Sequence, residues 1–159
     1  MQIPKYFYDR IRKITLKPRY FMFSKTAQYT FRILIFMSKE PSALFSATRI
    51  HEDTRIPYKY LTMLLTKLAK AHILKATRGR NGGFALNKKT NEIYLVNILD
   101  AIGENNCSNC ALGEKACNVD QPCSLHESYK LPKIALEEML NTTTLDHLDP
   151  FLMEHTYKH

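Results

Sequence analysis

Thiol groups are concentrated in one short stretch of this sequence. All four cysteines fall between residues 107 and 123, and a histidine follows three residues after the last of them. Thiolate and imidazole groups bind zinc and iron–sulfur clusters because they donate charge to these metals, and four ligands suffice for either. The segment contains Gly113 and Pro122 and shows little periodicity, which suits a loop wrapped around a metal. The candidate ligands are Cys107, Cys110, Cys117, Cys123 and His126.

The residue types alone leave several interpretations of this segment open. The thiols could hold an iron–sulfur cluster or a structural zinc, since the Cys-x2-Cys spacing of Cys107 and Cys110 suits both. They could also form a metal-free thiol switch through a Cys107–Cys110 disulfide, or be inert. A thiol oxidoreductase is disfavoured because the strand-rich context of thioredoxin-like motifs is missing. No nucleophile–base pair or phosphate-binding loop is visible, so the sequence does not indicate an enzyme.

Charge divides the chain into a basic first part and an acidic last part. Of the net charge of +8, residues 1–21 carry +5 and residues 22–90 carry +10, whereas residues 91–159 carry −7. This distribution favours a head that binds a polyanion, joined to a separate body. No apolar run approaches the roughly 20 residues that cross a bilayer, and charged residues interrupt the first 21. We therefore expect a cytoplasmic protein without a membrane partner, in which structural disulfides are unusual.

Hydrophobic spacing and capping residues predict a mainly α-helical fold. Ser24 and Ser46 suit the N-caps of two helices, Pro57 suits the first position of a third, and Gly103 suits the end of a fourth. Two short apolar runs flank the segment 78–83, whose glycines permit the positive φ angles of tight hairpin turns. The four predicted helices of the first part follow Ser24 to about residue 38 and cover 47–53, 57–71 and 96–102, and the predicted strands are 72–77 and 84–87. A long helix is predicted from 122 or 124 to 140, bent or interrupted near Pro132, and a short last helix from 143 or 144.

Two short helices, a three-residue turn and a basic hairpin together predict a winged helix-turn-helix. A helix of this kind places its N-terminal residues against base edges in the major groove, and arginines on a slender wing suit the minor groove. The predicted base or phosphate contacts of the third helix are Tyr58, Lys59, Tyr60 and Thr62, and those of the wing are Arg78 and Arg80. Further candidates for phosphate contacts are Lys25, Arg49, Arg55, Lys67 and Lys75. A helical module with a solvated basic face is the alternative.

Several of these segments resemble the IscR/NsrR-type winged helix-turn-helix iron–sulfur transcriptional regulators. The resemblance covers about residues 22–148. It lies in the segment from Met22 with Tyr29 and Arg32, in Ile56–Leu61, in the wing Arg78–Leu86, and in Cys110–Gly113, Cys117 and Pro122–His126. It implies a homodimer that binds a palindromic operator. It also implies an iron–sulfur cluster, [2Fe-2S] or [4Fe-4S], held by Cys110, Cys117 and Cys123, with Cys107 or His126 completing the set; zinc is the alternative. Such clusters sense redox state, nitric oxide or iron–sulfur supply.

The sequence also departs from this family pattern. Six residues separate Cys110 from Cys117, where five are usual, and Cys107 is an additional thiol. Gln28 stands where some members carry an acidic cluster ligand, and Thr62 stands where others carry a glutamate that reads DNA. The operator therefore need not be the same.

The interpretation as a whole is a DNA-binding regulator, expected to be a repressor. The expected organisation is a basic extension (1–21), a DNA-binding domain (22–103), a cysteine-rich cluster loop (104–124), and a dimerisation helix with a C-terminal tail (125–159). The apolar stripe assigned to the dimer contact is Leu125, Tyr129, Leu136, Met139 and Leu140.

Overall fold

The structure, a computed structural model, describes residues 23–105, 112 and 122–148. The basic extension and three of the four cysteines, Cys107, Cys110 and Cys117, lie outside these described residues. The described elements are helices α1 (Lys25–Ser38), α2 (Ala47–Thr54) and α3 (Tyr58–Lys70), strands β1 (Leu74–Thr77) and β2 (Gly83–Leu86), helices α4 (Leu95–Ile102) and α5 (His126–Thr142), and single 3-10 turns at Thr90–Glu92 and Leu145–His147. The predicted mainly helical winged helix-turn-helix is confirmed.

Helix ends follow the capping residues of the sequence. The Ser24 hydroxyl accepts a hydrogen bond from the Ala27 amide, and the Ser46 hydroxyl accepts one from the Arg49 amide, each at 3.1 Å. These bonds satisfy amides that the first turn of a helix leaves without intrahelical partners. Gly103 ends α4 with a φ of 79°, a conformation that glycine adopts without strain. Pro57 lies one residue before α3 as its N-cap, not at its first helical position as predicted.

The hydrophobic core lies between α1, α3 and α4, with α2 packed against α1 and α3. The inner face of α3 contributes four leucines, each with 0% of its surface exposed: Leu61, Leu64, Leu65 and Leu68. Burying a side chain of this size stabilises the fold by about 1.5–3 kcal/mol. Because these leucines recur at helical spacing, they fix which face of α3 points inward and therefore which face points to solvent.

The wing is a hairpin attached to the head by a third short pairing. β1 and β2 pair antiparallel, with Leu74 opposite Leu86 and Thr77 opposite Gly83. Phe45, just before α2, exchanges two backbone hydrogen bonds of 2.8 Å with Phe84 of β2. Its ring is 1% exposed, so it is also part of the core. This pairing was not predicted from the sequence, and it fixes the position of β2 relative to the start of α2.

The C-terminal end of α5 returns to the same core. Leu140 and Leu145 are 1% and 0% exposed, and Leu145 donates its amide to the Ile93 carbonyl at 2.8 Å. A second bond of 3.0 Å runs from the Leu95 amide to the Thr143 carbonyl. The residues after α5 therefore complete the core of the winged helix-turn-helix. Within the described ranges, no helix is long and apolar enough to span a bilayer.

Candidate DNA interface and cysteine segment

The turn between α2 and α3 is held by side chains from both sides. Arg55 adopts a left-handed conformation with φ 56°, which lets the chain reverse after α2. The Arg32 guanidinium donates to the Thr54 carbonyl, and His51 Nδ1 donates to the Ile56 carbonyl at 2.7 Å. Ile56 is fully buried. These contacts determine the direction in which the N-terminus of α3 leaves the turn, and this direction must be fixed if the helix is to enter a groove.

The four residues predicted to contact DNA from α3 are not equally available. Tyr58 and Lys59 are exposed, and the Tyr58 ring packs edge-on against His51 with centroids 5.7 Å apart. Tyr60 is half-buried, its hydroxyl lies 2.7 Å from the Thr26 hydroxyl, and its ring contacts Tyr29. The Thr62 hydroxyl donates to the backbone carbonyl of Lys59 at 3.0 Å. Tyr60 therefore joins α3 to α1, while Tyr58 and Lys59 face solvent.

The wing presents its two arginines at the tip. Arg78 and Arg80 are both exposed and flank Gly79, whose φ of 111° requires glycine. The Gly82 amide donates to the Gly79 carbonyl at 2.9 Å and closes the loop. Gly79 alone among the tip glycines has the predicted positive φ. Gly83 is required for space, since a Cβ there would lie 2.5 Å from the Phe45 carbonyl oxygen.

The remaining predicted cations divide into two groups. Arg55 and Lys75 are exposed, and Lys25 is exposed with its ammonium 5.1 Å from the centre of the Tyr29 ring. Arg49 instead forms an ion pair of 2.9 Å with Glu40 and stacks on Phe45. The Lys67 ammonium donates to the Ile102 carbonyl at 2.9 Å. Lys67 is thus bonded inside the protein, at the end of α4, and is a poorer candidate for phosphate contact than the first group.

The cysteine-rich segment is described at its two ends. Cys123 and His126 are half-buried, and the His126 amide donates to the Cys123 carbonyl at 3.0 Å where α5 begins. Cys123 precedes His126 by three residues, and their thiol and imidazole groups are chemically suited to iron or zinc. In the part of the chain that the structure describes, no three His, Cys, Asp or Glu side chains cluster closely enough to hold a metal ion.

The start of the cysteine-rich segment is bonded to the DNA-binding head. Glu104 accepts a hydrogen bond from Ser24, the N-cap of α1, and Lys67 of α3 binds the last carbonyl of α4 at Ile102. Neither bond has a signal in the sequence, because each joins residues far apart in the chain. The contact of Arg32 with the Thr54 carbonyl was missed for the same reason, since 22 residues separate the two, whereas His51 and Ile56 are only five residues apart.

This geometry defines a winged helix-turn-helix protein of the kind that binds DNA. Residues 23–149 match the model of the Rrf2 family, described as iron-dependent transcriptional regulators. The chain belongs to the Rrf2 family, and it is a DNA-binding transcriptional regulator, not an enzyme. The predicted resemblance to IscR-type regulators is confirmed at this level.

Individual relatives agree with this assignment. An HTH-type transcriptional regulator of Aquifex aeolicus is 25% identical over 130 residues, which cover 80% of this chain and 90% of the relative. IscR of Pectobacterium atrosepticum is 29% identical over 99 residues, covering 62% of this chain and 60% of IscR. Among solved structures, CymR, the global cysteine regulator of B. subtilis, superposes with a TM-score of 0.69 at 23% identity, covering 83% of this chain and 98% of CymR. IscR of T. potens gives 0.60 at 20% identity, covering 87% and 92%. The two structures support the fold alone.

Proposed function

We propose that this regulator is a homodimeric repressor whose operator affinity depends on an iron–sulfur cluster held in the cysteine-rich segment. The observation that carries the proposal is the hydrogen bond from Ser24, the N-cap of α1, to Glu104 at the start of that segment. Beside it, Lys67 of α3 donates to the Ile102 carbonyl at the end of α4, two residues before Glu104. A conformational change in the cysteine-rich segment can alter the positions of α1 and α3 through these bonds. Such a connection would convert a local event in the segment into altered DNA binding if the state of the segment changes the position of α1 or α3.

The donor set supports a cluster. Cys110, Cys117 and Cys123 would hold it, with Cys107 or His126 as the fourth ligand. When bound, the cluster supplies iron and sulfide that nitric oxide or oxygen can attack. The protein's own part is to supply the ligands next to α5 and to connect the other end of the segment to α1 through Ser24, next to the bond by which Lys67 joins α3 to the end of α4. The family description as iron-dependent regulators agrees with this proposal.

The dimer is proposed from the outer face of α5. Several large apolar side chains remain exposed there, although the end of the helix packs on the head. Leu131 is 74% exposed and Ile134 is 50% exposed, values that a second copy would reduce by covering this face. Leu136 and Leu140 of the predicted stripe pack on the core of the same chain instead. The exposed large apolar side chains in and just before α5 are Leu125, Tyr129, Leu131, Ile134 and Met139. At about 100° per residue, Leu131 and Ile134 are the two that share the side away from Leu140. A two-fold dimer matches a palindromic operator.

The test of the cluster is anaerobic purification of the full chain, followed by visible absorption and analysis of iron, sulfide and zinc. We expect a coloured protein whose absorbance is lost in Cys123→Ser. Comparison of Cys107→Ser with His126→Ala identifies the fourth ligand, because only the ligand variant should lose the cluster. A colourless protein rich in zinc would overturn the iron–sulfur assignment. Equal operator affinity of the apo and holo forms would overturn the coupling.

The wing is tested separately with Arg78→Ala. A gel-shift salt series should show weaker operator binding and a salt slope smaller by about two phosphate contacts, one for each subunit of the dimer. Lys130→Ala, an exposed cation on α5, is the matched control and should leave both the affinity and the slope unchanged. Identical behaviour of the two variants would remove Arg78 from the interface.

A further inference from the structure

One exposed stripe on α3 is apolar at its centre and basic at both ends. Lys59, Met63, Thr66 and Lys70 are exposed and succeed one another at spacings of four, three and four residues. At 3.6 residues per turn, these positions lie within about 60° of one another around the helix. They lie opposite the buried leucines of α3, so the core does not use them.

Packing within the head does not explain why an apolar side chain stands at position 63. The Met63 side chain is 40% exposed and is not among the half-buried residues that pack against the core. Exposed positions on a helix of this kind are normally polar, and an unbranched thioether there is available to adapt to an apolar partner. The neighbouring Tyr60 is less available because its hydroxyl bonds to Thr26 at 2.7 Å and its ring packs on Tyr29.

The hydroxyl groups beside Met63 also turn toward the helix. Thr62 donates to the Lys59 carbonyl at 3.0 Å, and Thr66 donates to the Thr62 carbonyl at 2.8 Å. Their hydrogens are therefore used by the backbone of α3. The centre of the stripe presents mainly apolar surface, whereas Lys59 and Lys70 suit phosphates on either side of a groove.

In the major groove the apolar group on a base edge is the C5-methyl of thymine. We propose that Met63 is a specificity-determining residue that packs on a thymine methyl in each half of the operator. This inference rests on the proposed binding of α3 to DNA and adds to it the base that is read. Removing one such methyl costs about the burial of one CH₂ group, which corresponds to a roughly fourfold loss of affinity.

The experiment replaces thymine with uracil, which removes only the methyl. A duplex bound by the full-length wild-type protein is first selected from a random pool at low salt, and each thymine is then replaced in turn. The affinity ratio of the thymine and uracil duplexes is measured for wild type, Met63→Gln and Met63→Leu. Gln has a similar length but is polar, whereas Leu is the apolar matched control, and thermal melts verify that both variants fold.

We expect at least one position at which replacing thymine with uracil lowers the affinity of the wild-type protein about fourfold. The same replacement should lower the affinity of Met63→Leu by nearly as much. In Met63→Gln the ratio of the two affinities should fall to about one. If Met63→Gln binds the duplex and is sensitive to uracil at the same positions as the wild-type protein, the inference is overturned. The DNA-binding proposal would still stand. Absence of any duplex binding by the wild-type protein would overturn both.

Discussion

The bond between Lys67 and the end of α4 makes a measurable contribution to stability. The ammonium donates to the Ile102 carbonyl at 2.9 Å, and Ile102 is 4% exposed. A hydrogen bond to a charged group contributes about 1.5–3 kcal/mol, and the half-exposed position of Lys67 places the value near the lower end. A cation at the C-terminus of a helix adds about 0.3–1 kcal/mol. We expect Lys67→Met, which keeps the aliphatic stem, to lower the free energy of unfolding by about 1–2 kcal/mol.

The assay is urea unfolding followed by circular dichroism. Lys70→Met is the matched control because Lys70 lies in the same last turn of α3 and is exposed. It should change the free energy of unfolding by less than about 0.5 kcal/mol. Protein concentration must be the same for all variants, since a dimer's stability depends on it. Indistinguishable unfolding midpoints for Lys67→Met and Lys70→Met would refute the reasoning.

The same variant tests the proposed coupling. If the Lys67–Ile102 bond transmits the state of the cysteine-rich segment, the ratio of operator affinities between holo and apo protein should be smaller in Lys67→Met than in Lys70→Met. A reduced stability with an unchanged ratio would assign the bond to folding alone. This readout separates a positioning role from a purely structural one.

Three further predictions concern the wing, the α1–α3 contact and the dimer. Gly83→Ala should destabilise the protein by about 1–3 kcal/mol because the new Cβ meets the Phe45 carbonyl oxygen at 2.5 Å; a urea midpoint equal to wild type would contradict this. Tyr60→Phe removes the bond to Thr26 and should cost about 1 kcal/mol, which calorimetry should detect as a melting temperature about 2–4 °C lower. Leu131→Asp should shift the protein toward monomers in sedimentation velocity and weaken operator binding, whereas an unchanged sedimentation coefficient would place the dimer contact elsewhere.

Local signals in the sequence predicted the helices well. Ser24, Ser46 and Gly103 mark helix ends through bonds or φ angles that depend on neighbouring residues only. The predicted limits therefore agree with the observed ones within about two residues for the helices of the head. The third pairing of the wing was missed because Phe45 contributes a single bridge, too short for any alternation pattern.

Contacts between distant segments were outside the reach of sequence patterns. The glycine at position 83 was attributed to turn geometry. It is required instead because the backbone of Phe45 lies too close to leave room for a Cβ. Lys67 was assigned to phosphate from its charge, although its position beside the end of α4 gives it an internal partner. In α5, helical spacing identified apolar positions but could not tell which side faces the head. The buried Leu140 was therefore assigned to the dimer stripe, and the exposed Leu131 was left out of it.

The backbone bonds after α5 have a consequence for the order in which a newly made chain can mature. Ile93 and Leu95 obtain partners from Leu145 and Thr143, which are synthesised much later. Until those residues emerge from the ribosome, the groove they fill stays open and its apolar lining contacts water or a chaperone. The DNA-binding head of a partly synthesised chain is therefore unfinished, and a nascent regulator should gain operator affinity only after residues 143–145 have been made.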